Sequence, residues 1–159
     1  MNLTSLITDN VTEILVKIIE FTQTRQKILR RNITDIHEPG FVPKDLAVNE
    51  FSDLMNDAID EHIRNQRLVL RDTENIKFGV GGNFQVKPLV DECSKKLLRE
   101  NPDEYFELQI NKLSQNSFNQ KVAAELLRHK SRGLSRWIVD YRLGCRCCVL
   151  RSKTTKADV

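Results

Sequence analysis

Apolar residues recur at alternating four- and three-residue spacing near the start of the chain, and the positions on that line are Ile7, Val11, Ile14, Ile18, Phe21, Arg25, Ile28 and Asn32. That period belongs to a helix packed along a seam, and it predicts one long helix over residues 1–37. Leu15, Ile19, Leu29, Ile33 and Ile36 widen the stripe on one flank, so the helix is expected to bury a broad face against more than one neighbour. Arg25 and Asn32 interrupt the seam. The expectation is that both lie near its edge and reach solvent, the alternative being a role in register or subunit contact. Glu38-Pro39-Gly40-Phe41 then closes the segment, because Pro39 cannot continue a helix and Gly40 admits the positive φ of a sharp turn.

A second long pattern opens at "NPDEYFE", where Asn101 can cap, Pro102 suits the first helical position and Glu104 completes a capping box. Its seam reads Phe106, Ile110, Leu113, Ser117, Gln120, Ala124, Leu127, Ser131, Leu134, Ile138 and Tyr141, which predicts a helix over 101–142. A basic, cysteine-containing tail follows at 143–159. Both long segments begin acidic and end basic: Asp9, Glu13 and Glu20 precede Arg25, Lys27, Arg30 and Arg31, and Asp103, Glu104 and Glu107 precede Arg128, Lys130, Arg132 and Arg136. Each arrangement suits its own helix dipole, and an antiparallel pairing also sets acid opposite base at both ends. The predicted fold class is therefore mainly α, an elongated, coiled-coil-like antiparallel pair of N- and C-terminal helices.

Between them, residues 38–100 read as a turn, short helices and a partly flexible middle. "VNEFSDLMNDAIDEHIRNQ" predicts a short helix capped by Asn49, with Phe51, Leu54, Met55, Ala58, Ile59 and His62 on one face. "RLVLRD" and "IKFGVGGNFQV" read as extended or disordered, the latter loosened by Gly79, Gly81 and Gly82, and "KPLVDECSKKLLRE" as another short helix.

Composition narrows the class. Of 159 residues only 6% are aromatic and 30% are charged, which suits an elongated helical protein better than a packed β-barrel. The net charge of +3 owes much to the last thirty residues, so no nucleic-acid surface runs along the chain. The first twenty residues lack the charged, apolar and small-residue regions of a secretory signal, and no apolar run is long enough to span a bilayer. A soluble protein without membrane insertion is expected, any export using another route.

Candidate chemistry adds little. His37, His62 and His129 stand apart from one another and from any zinc or nucleophile pattern, and "GVGGNF" lacks the lysine of a phosphate loop. His62 is expected to be a packed or boundary histidine, and the acidic residues to serve caps and solvated faces. In "GCRCC", Arg142, Arg146 and Arg151 favour thiolate at Cys145, Cys147 and Cys148, yet no second ligand cluster completes a metal site. An exposed tail is expected there in preference to metal or redox use. The reading is of a non-enzymatic chain without catalytic residues, metal or cofactor.

With both helices and the turn placed, the chain resembles the flagellar basal-body rod protein family of bacteria, and within it the proximal rod type. That family carries, near the end of its first helix, a motif resembling A-N-x-A-N-x-x-T-P-G-Y. Here "RRNITDIHEPGF" is similar to it, with Asn32, Pro39, Gly40 and Phe41 matching and Arg31, Thr34, Asp35 and Glu38 departing. The segment "NPDEYFELQINKLSQNSFNQKVAAELLRHKSRGL" is similar to the family's closing segment, including Leu113, Asn116, Leu126, Leu127, Lys130, Gly133 and Leu134. Family members end soon after that helix, so the cysteine-containing tail marks a divergent member.

The resemblance implies a structural subunit that polymerises through its paired terminal helices in the proximal rod, where motor torque is transmitted. It implies as partners other rod and axial subunits, including further copies of the chain, and proteins at the junction of the export gate and membrane ring. It also implies export through the flagellar type III channel without a cleaved signal, and a location in the periplasm-spanning rod. Phe106 and Ile110 are the positions expected to carry assembly. Asn32 is expected to set register and to satisfy backbone groups in the chain reversal, and the middle to order only on assembly. The rival class is a cytosolic helical adaptor whose antiparallel hairpin grips one partner, and a third reading is metal or redox sensing through Cys145, Cys147 and Cys148.

Overall fold

The computed structural model describes residues 3–79 and 84–131. It is mainly helical. Helix α1 (Leu3–Thr34) is followed by the short strand β1 (Lys44–Asp45), helix α2 (Val48–Asn65), a hairpin of β2 (Ile76–Phe78) and β3 (Phe84–Val86), strand β4 (Leu89–Val90), and helices α3 (Glu92–Glu100) and α4 (Pro102–Ser131). Residues 1–127 form one compact unit, to which the packing described below belongs, and 128–159 form a second. Leu134, the expected helix beyond Ser131, and the tail cysteines lie outside the described residues.

Helix α1 ends three residues earlier than its pattern predicted. Its last turn is relayed into the bend by Asp35 N–H donating to the Arg31 carbonyl, then Glu38 to Asp35 and Phe41 to Glu38. Gly40, at φ 82°, makes the reversal, a conformation that glycine adopts without the Cβ penalty. The chain then returns along α1, and β1 pairs antiparallel with β4, Lys44 opposite Val90 and Asp45 opposite Leu89.

The middle of α1 builds an apolar core. Ile14 and Phe21 pack with Leu46, with Phe51 and Met55 of α2, and with Ile76 of the hairpin. The Phe21 and Phe51 rings stack with centroids 3.9 Å apart, and Phe84 tilts onto Phe51. Side chains of this size contribute about 1.5–3 kcal/mol each when fully buried. The middle is therefore packed over its described residues, where the sequence suggested a segment that orders only on assembly. The residues flanking the glycine loop alternate, with Ile76, Phe78, Phe84 and Val86 turned to the core, and that alternation makes a hairpin. Helix α2 begins at Val48 with Ala47 at its cap position and no side-chain cap bond, so Asn49 lies inside the first turn and the predicted cap is corrected. His62 is buried as expected, within 3.2 Å of the Asn10 amide.

The long helices run antiparallel. The Tyr105 hydroxyl donates to the Asn32 carbonyl at 2.9 Å, and eleven residues further along α4 the Asn116 amide donates to the Thr22 carbonyl at 2.8 Å, ten residues back along α1. Asn101 caps α4 as its sequence indicates, its Oδ1 accepting the Glu104 N–H while Glu104 reaches back to its amide. Among the described residues no helix is long and apolar enough to cross a membrane.

Candidate functional site: a polar clasp and an outward apolar ridge

Arg25 and Asn32, expected near solvent, are buried at 8% and 2% exposure. The reason is β1. Arg25 donates Nε and Nη2 to the two carboxylate oxygens of Asp45 at 2.8 and 2.9 Å, the forked geometry that makes arginine–carboxylate pairs strong. Asn32 acts as a substitute strand: its amide nitrogen donates to the Lys44 carbonyl at 2.7 Å, and its oxygen accepts the Lys44 N–H at 3.1 Å. The same nitrogen donates to Gln109 Oε1 at 3.0 Å. Two residues that break an apolar seam thus hold the returning chain against α1.

From the other side, α3 and α4 complete a clasp. The Asp91 carboxylate caps α3 by accepting the Ser94 N–H and hydroxyl, Ser94 in turn accepts from Gln109 Nε2 at 3.0 Å, and Lys112 of α4 bridges Asp91 and Asp45. Arg25 and Lys112 face Asp45 and Asp91, so the buried charges balance. Burial alone would raise the Asp45 carboxyl, but the hydrogen bond and charge of Arg25, the Leu46 N–H and the Lys112 charge outweigh it and hold it below the usual carboxylate range. Asp91 is likewise lowered, burial being outweighed by Lys112 and Ser94. Burial, with the Asp91 charge, pushes the Tyr105 phenol up to about 12.

This clasp corrects the predicted face of α4. Tyr105, Gln109, Asn116 and Ala123 are buried and Lys112 is half-buried, whereas Phe106 and Ile110 are exposed. The seam lies one residue before the predicted one and is largely polar, because it meets carbonyls and amide groups of α1 and β1 that only hydrogen-bonding partners satisfy. Hydropathy selects the wrong line there. The 4-3-4 spacing of Tyr105, Gln109, Lys112 and Asn116 was the available signal, together with Asp91 three residues before Ser94. The apolar residues left outside form an i, i+4 row interrupted by Ser114: Phe106, Ile110, Phe118, Val122 and Leu126, 42–66% exposed.

Four of the remaining predicted positions fall in the two features, and the others lie elsewhere. Asn32 and Asn116 belong to the clasp. Pro39 and Gly40 are exposed at the turn, and Phe41 is half-buried beside a cleft of about 570 Å³ that Ile28, Asn32 and Val90 also line. Leu113 and Leu127 are half-buried, and Phe106 and Ile110 stand on the ridge. Among the described residues no three His, Cys, Asp or Glu side chains converge as a metal site, and Cys93 is exposed on α3. The fold and the clasp define a class: a helical scaffold whose terminal helices are locked by hydrogen bonds, with apolar surface facing outward. The chain matches no protein-family model, no curated protein and no solved structure.

Proposed function

We propose that the chain is a structural subunit of the bacterial flagellar basal-body rod, assembling through its paired terminal helices. The observation that carries this reading is the exposure of large apolar side chains along α4 while the line it buries is largely polar. A helix that spends polar residues on its own fold and turns Phe106, Ile110, Phe118, Val122 and Leu126 outward is built for contact with other molecules. The turn at Pro39-Gly40-Phe41, with Asn32 bracing the chain that leaves it, supports the same reading, since these are the residues that resemble the rod motif. In this role the chain is non-enzymatic, uses no cofactor, and has other rod and axial subunits as partners.

The test is mass spectrometry of purified hook–basal bodies from the source organism, with a deletion strain and its complement. The chain is expected among the rod proteins, and rods are expected to be lost on deletion. Intact basal bodies that lack the chain, in cells whose motility survives the deletion, would overturn the reading in favour of an adaptor.

A further inference from the structure

Three helices occupy three corners of a square. Phe21 of α1 stacks on Phe51 of α2, while Thr22, the next residue and about 100° further round, gives its carbonyl to Asn116 of α4. Asn10 meets His62 further along, so α2 runs antiparallel to α1, as α4 does. With about 8–10 Å between packed helices, two neighbours a quarter turn apart on α1 stand roughly 13 Å from one another, the diagonal of a four-helix bundle. Large apolar side chains face the remaining corner. On α2, Ile59 and Ile63 lie about 70° and 110° round from the line through Phe51, Met55, Ala58 and His62, on the flank opposite Glu50 and its bond to Asn75. On α4, Leu126 and Val122 lie about 75° and 115° round from the line through Tyr105, Gln109, Asn116 and Ala123, on the flank of Gln115 and Asn119. That flank faces α2, because Gln115 and Asn119 line one cleft of about 770 Å³ with Val48 and Asn49. Val11 of α1 lies between the two walls, and with Ile59, Ile63, Val122 and Leu126 it is 36–65% exposed.

We propose that this fourth corner is the docking site for one amphipathic helix of a different protein, with an apolar stripe seated on Val11, Ile59, Ile63, Val122 and Leu126 and with lysines or arginines along the edge that meets α2. The shape selects a helix. From Ser52 to Ile63 the α2 wall rises about 16 Å at 1.5 Å per residue, the length of three helical turns, and a helix laid in an apolar groove anchors through side chains at i, i+3 or i+4, and i+7. Charge selects its edge. Helix α2 carries Glu50, Asp53, Asp57, Asp60 and Glu61 against the single base Arg64, which stands 4.0 Å from Asp60. Asp53 and Asp60 lie about 90° beyond the Ile59 and Ile63 strip, on the outer flank of α2 where the edge of a docked helix would run. Basic residues there meet acid, and acidic ones are repelled. The same rule disfavours a second copy of this chain. Its other outward apolar pair, Phe106 and Ile110, has Asp103 and Glu107 beside it and would set acid against acid. The proposal does not depend on the rod reading, since it rests on α2 and on the flank of α4 that faces it.

The experiment is a fluorescence-anisotropy titration of the full-length chain against two labelled synthetic helical peptides of about eighteen residues. Both carry one leucine stripe, flanked by lysine in the first peptide and by glutamate in the second. The lysine peptide is expected to bind saturably at one to one, and the glutamate peptide at least about tenfold more weakly. Ile63→Asp and Val122→Asp, both at exposed positions, are each expected to weaken the lysine peptide at least about tenfold, with circular dichroism to verify the fold and Ile63→Ser and Val122→Ser as milder substitutes. Phe106→Asp, on the other flank of α4, is expected to leave binding unchanged. Asp53→Lys combined with Asp60→Lys is expected to reverse the preference between the two peptides. The absence of saturable binding, equal binding of both peptides, or a loss on Phe106→Asp as large as that on Ile63→Asp would overturn the proposal. Sedimentation of the chain alone covers the remaining occupant: a dimer that Ile63→Asp dissolves would place a second copy in the groove and overturn it too. Basal-body composition is read separately, so the rod reading and this docking site stand or fall independently.

Discussion

Asn32 uses both hydrogens and the oxygen of one amide, on Lys44 N–H and C=O and on Gln109, in a site sealed from water. Asn32→Asp is nearly the same shape but has no hydrogens to donate and brings a charge against two oxygens. It is expected to destabilise by about 2–4 kcal/mol, read from the urea midpoint, because the lost bonds leave buried acceptors unmatched. The clasp carboxylates give a second prediction. The unfolded chain protonates Asp45 and Asp91 near 3.8, whereas the folded chain holds both lower, so the unfolded state binds more protons in the interval between. Their contribution is complete above 3.8 and is lost as pH falls through the lower folded-state values. Urea midpoints measured between pH 5 and pH 2 should fall steeply for wild type and less steeply for Asp45→Asn.

At the scale of the element, α4 tests how far apolar periodicity reads a helix. The start of α4 was legible because Asn101, Pro102 and Glu104 form a local signal that needs no partner. Its buried face was not, because the partner surface on α1 and β1 is polar, and that polarity comes from Arg25 and Asn32, themselves legible only as interruptions. A pair of neighbouring alanines separates the two registers. Ala123 is 3% exposed and Ala124 is exposed, although the apolar pattern placed Ala124 on the seam. Ala123→Glu should cost about 2 kcal/mol or more by burying a charge, and Ala124→Glu should change stability by less than about 0.5 kcal/mol in the same thermal or chemical melt. Equal costs would contradict the observed face. Among the middle elements the hairpin was half legible: Ile76, Phe78, Phe84 and Val86 alternate, but three-residue strands around a glycine loop give too few periods to tell a strand from an extended coil.

Across the molecule, α1 is shared by two kinds of adhesion. Its middle, from Ile14 to Phe21, sits in an apolar core with α2 and the hairpin, and its last part, from Arg25 to Asn32, sits in the clasp. The apolar part supplies most of the strength. Phe51→Ala, which removes the partner of the Phe21 ring and a neighbour of Phe84, is expected to cost about 3–5 kcal/mol, a large share of a small domain's stability, as a shift in the thermal midpoint. The polar part supplies address. Hydrogen bonds and balanced charges specify which line of α4 meets α1, and this fixed register decides which apolar residues remain outside.

The Tyr105 hydroxyl, buried against the Asn32 carbonyl, also makes the helix pair visible to light. Ionisation moves the near-ultraviolet band of a phenol to longer wavelength and strengthens it, so the phenolate absorbs beyond the edge of the phenol band. While α4 is docked this ring resists ionisation to about 12, and once α4 leaves α1 it ionises near the ordinary value of 10.0. Tyr141 is the second of two tyrosines, so Tyr141→Phe leaves a single ionisable phenol, and Trp137 adds only an absorbance that does not change with this ionisation. In that variant an alkaline absorbance step moved from about 12 toward 10 reports an open helix pair without any label.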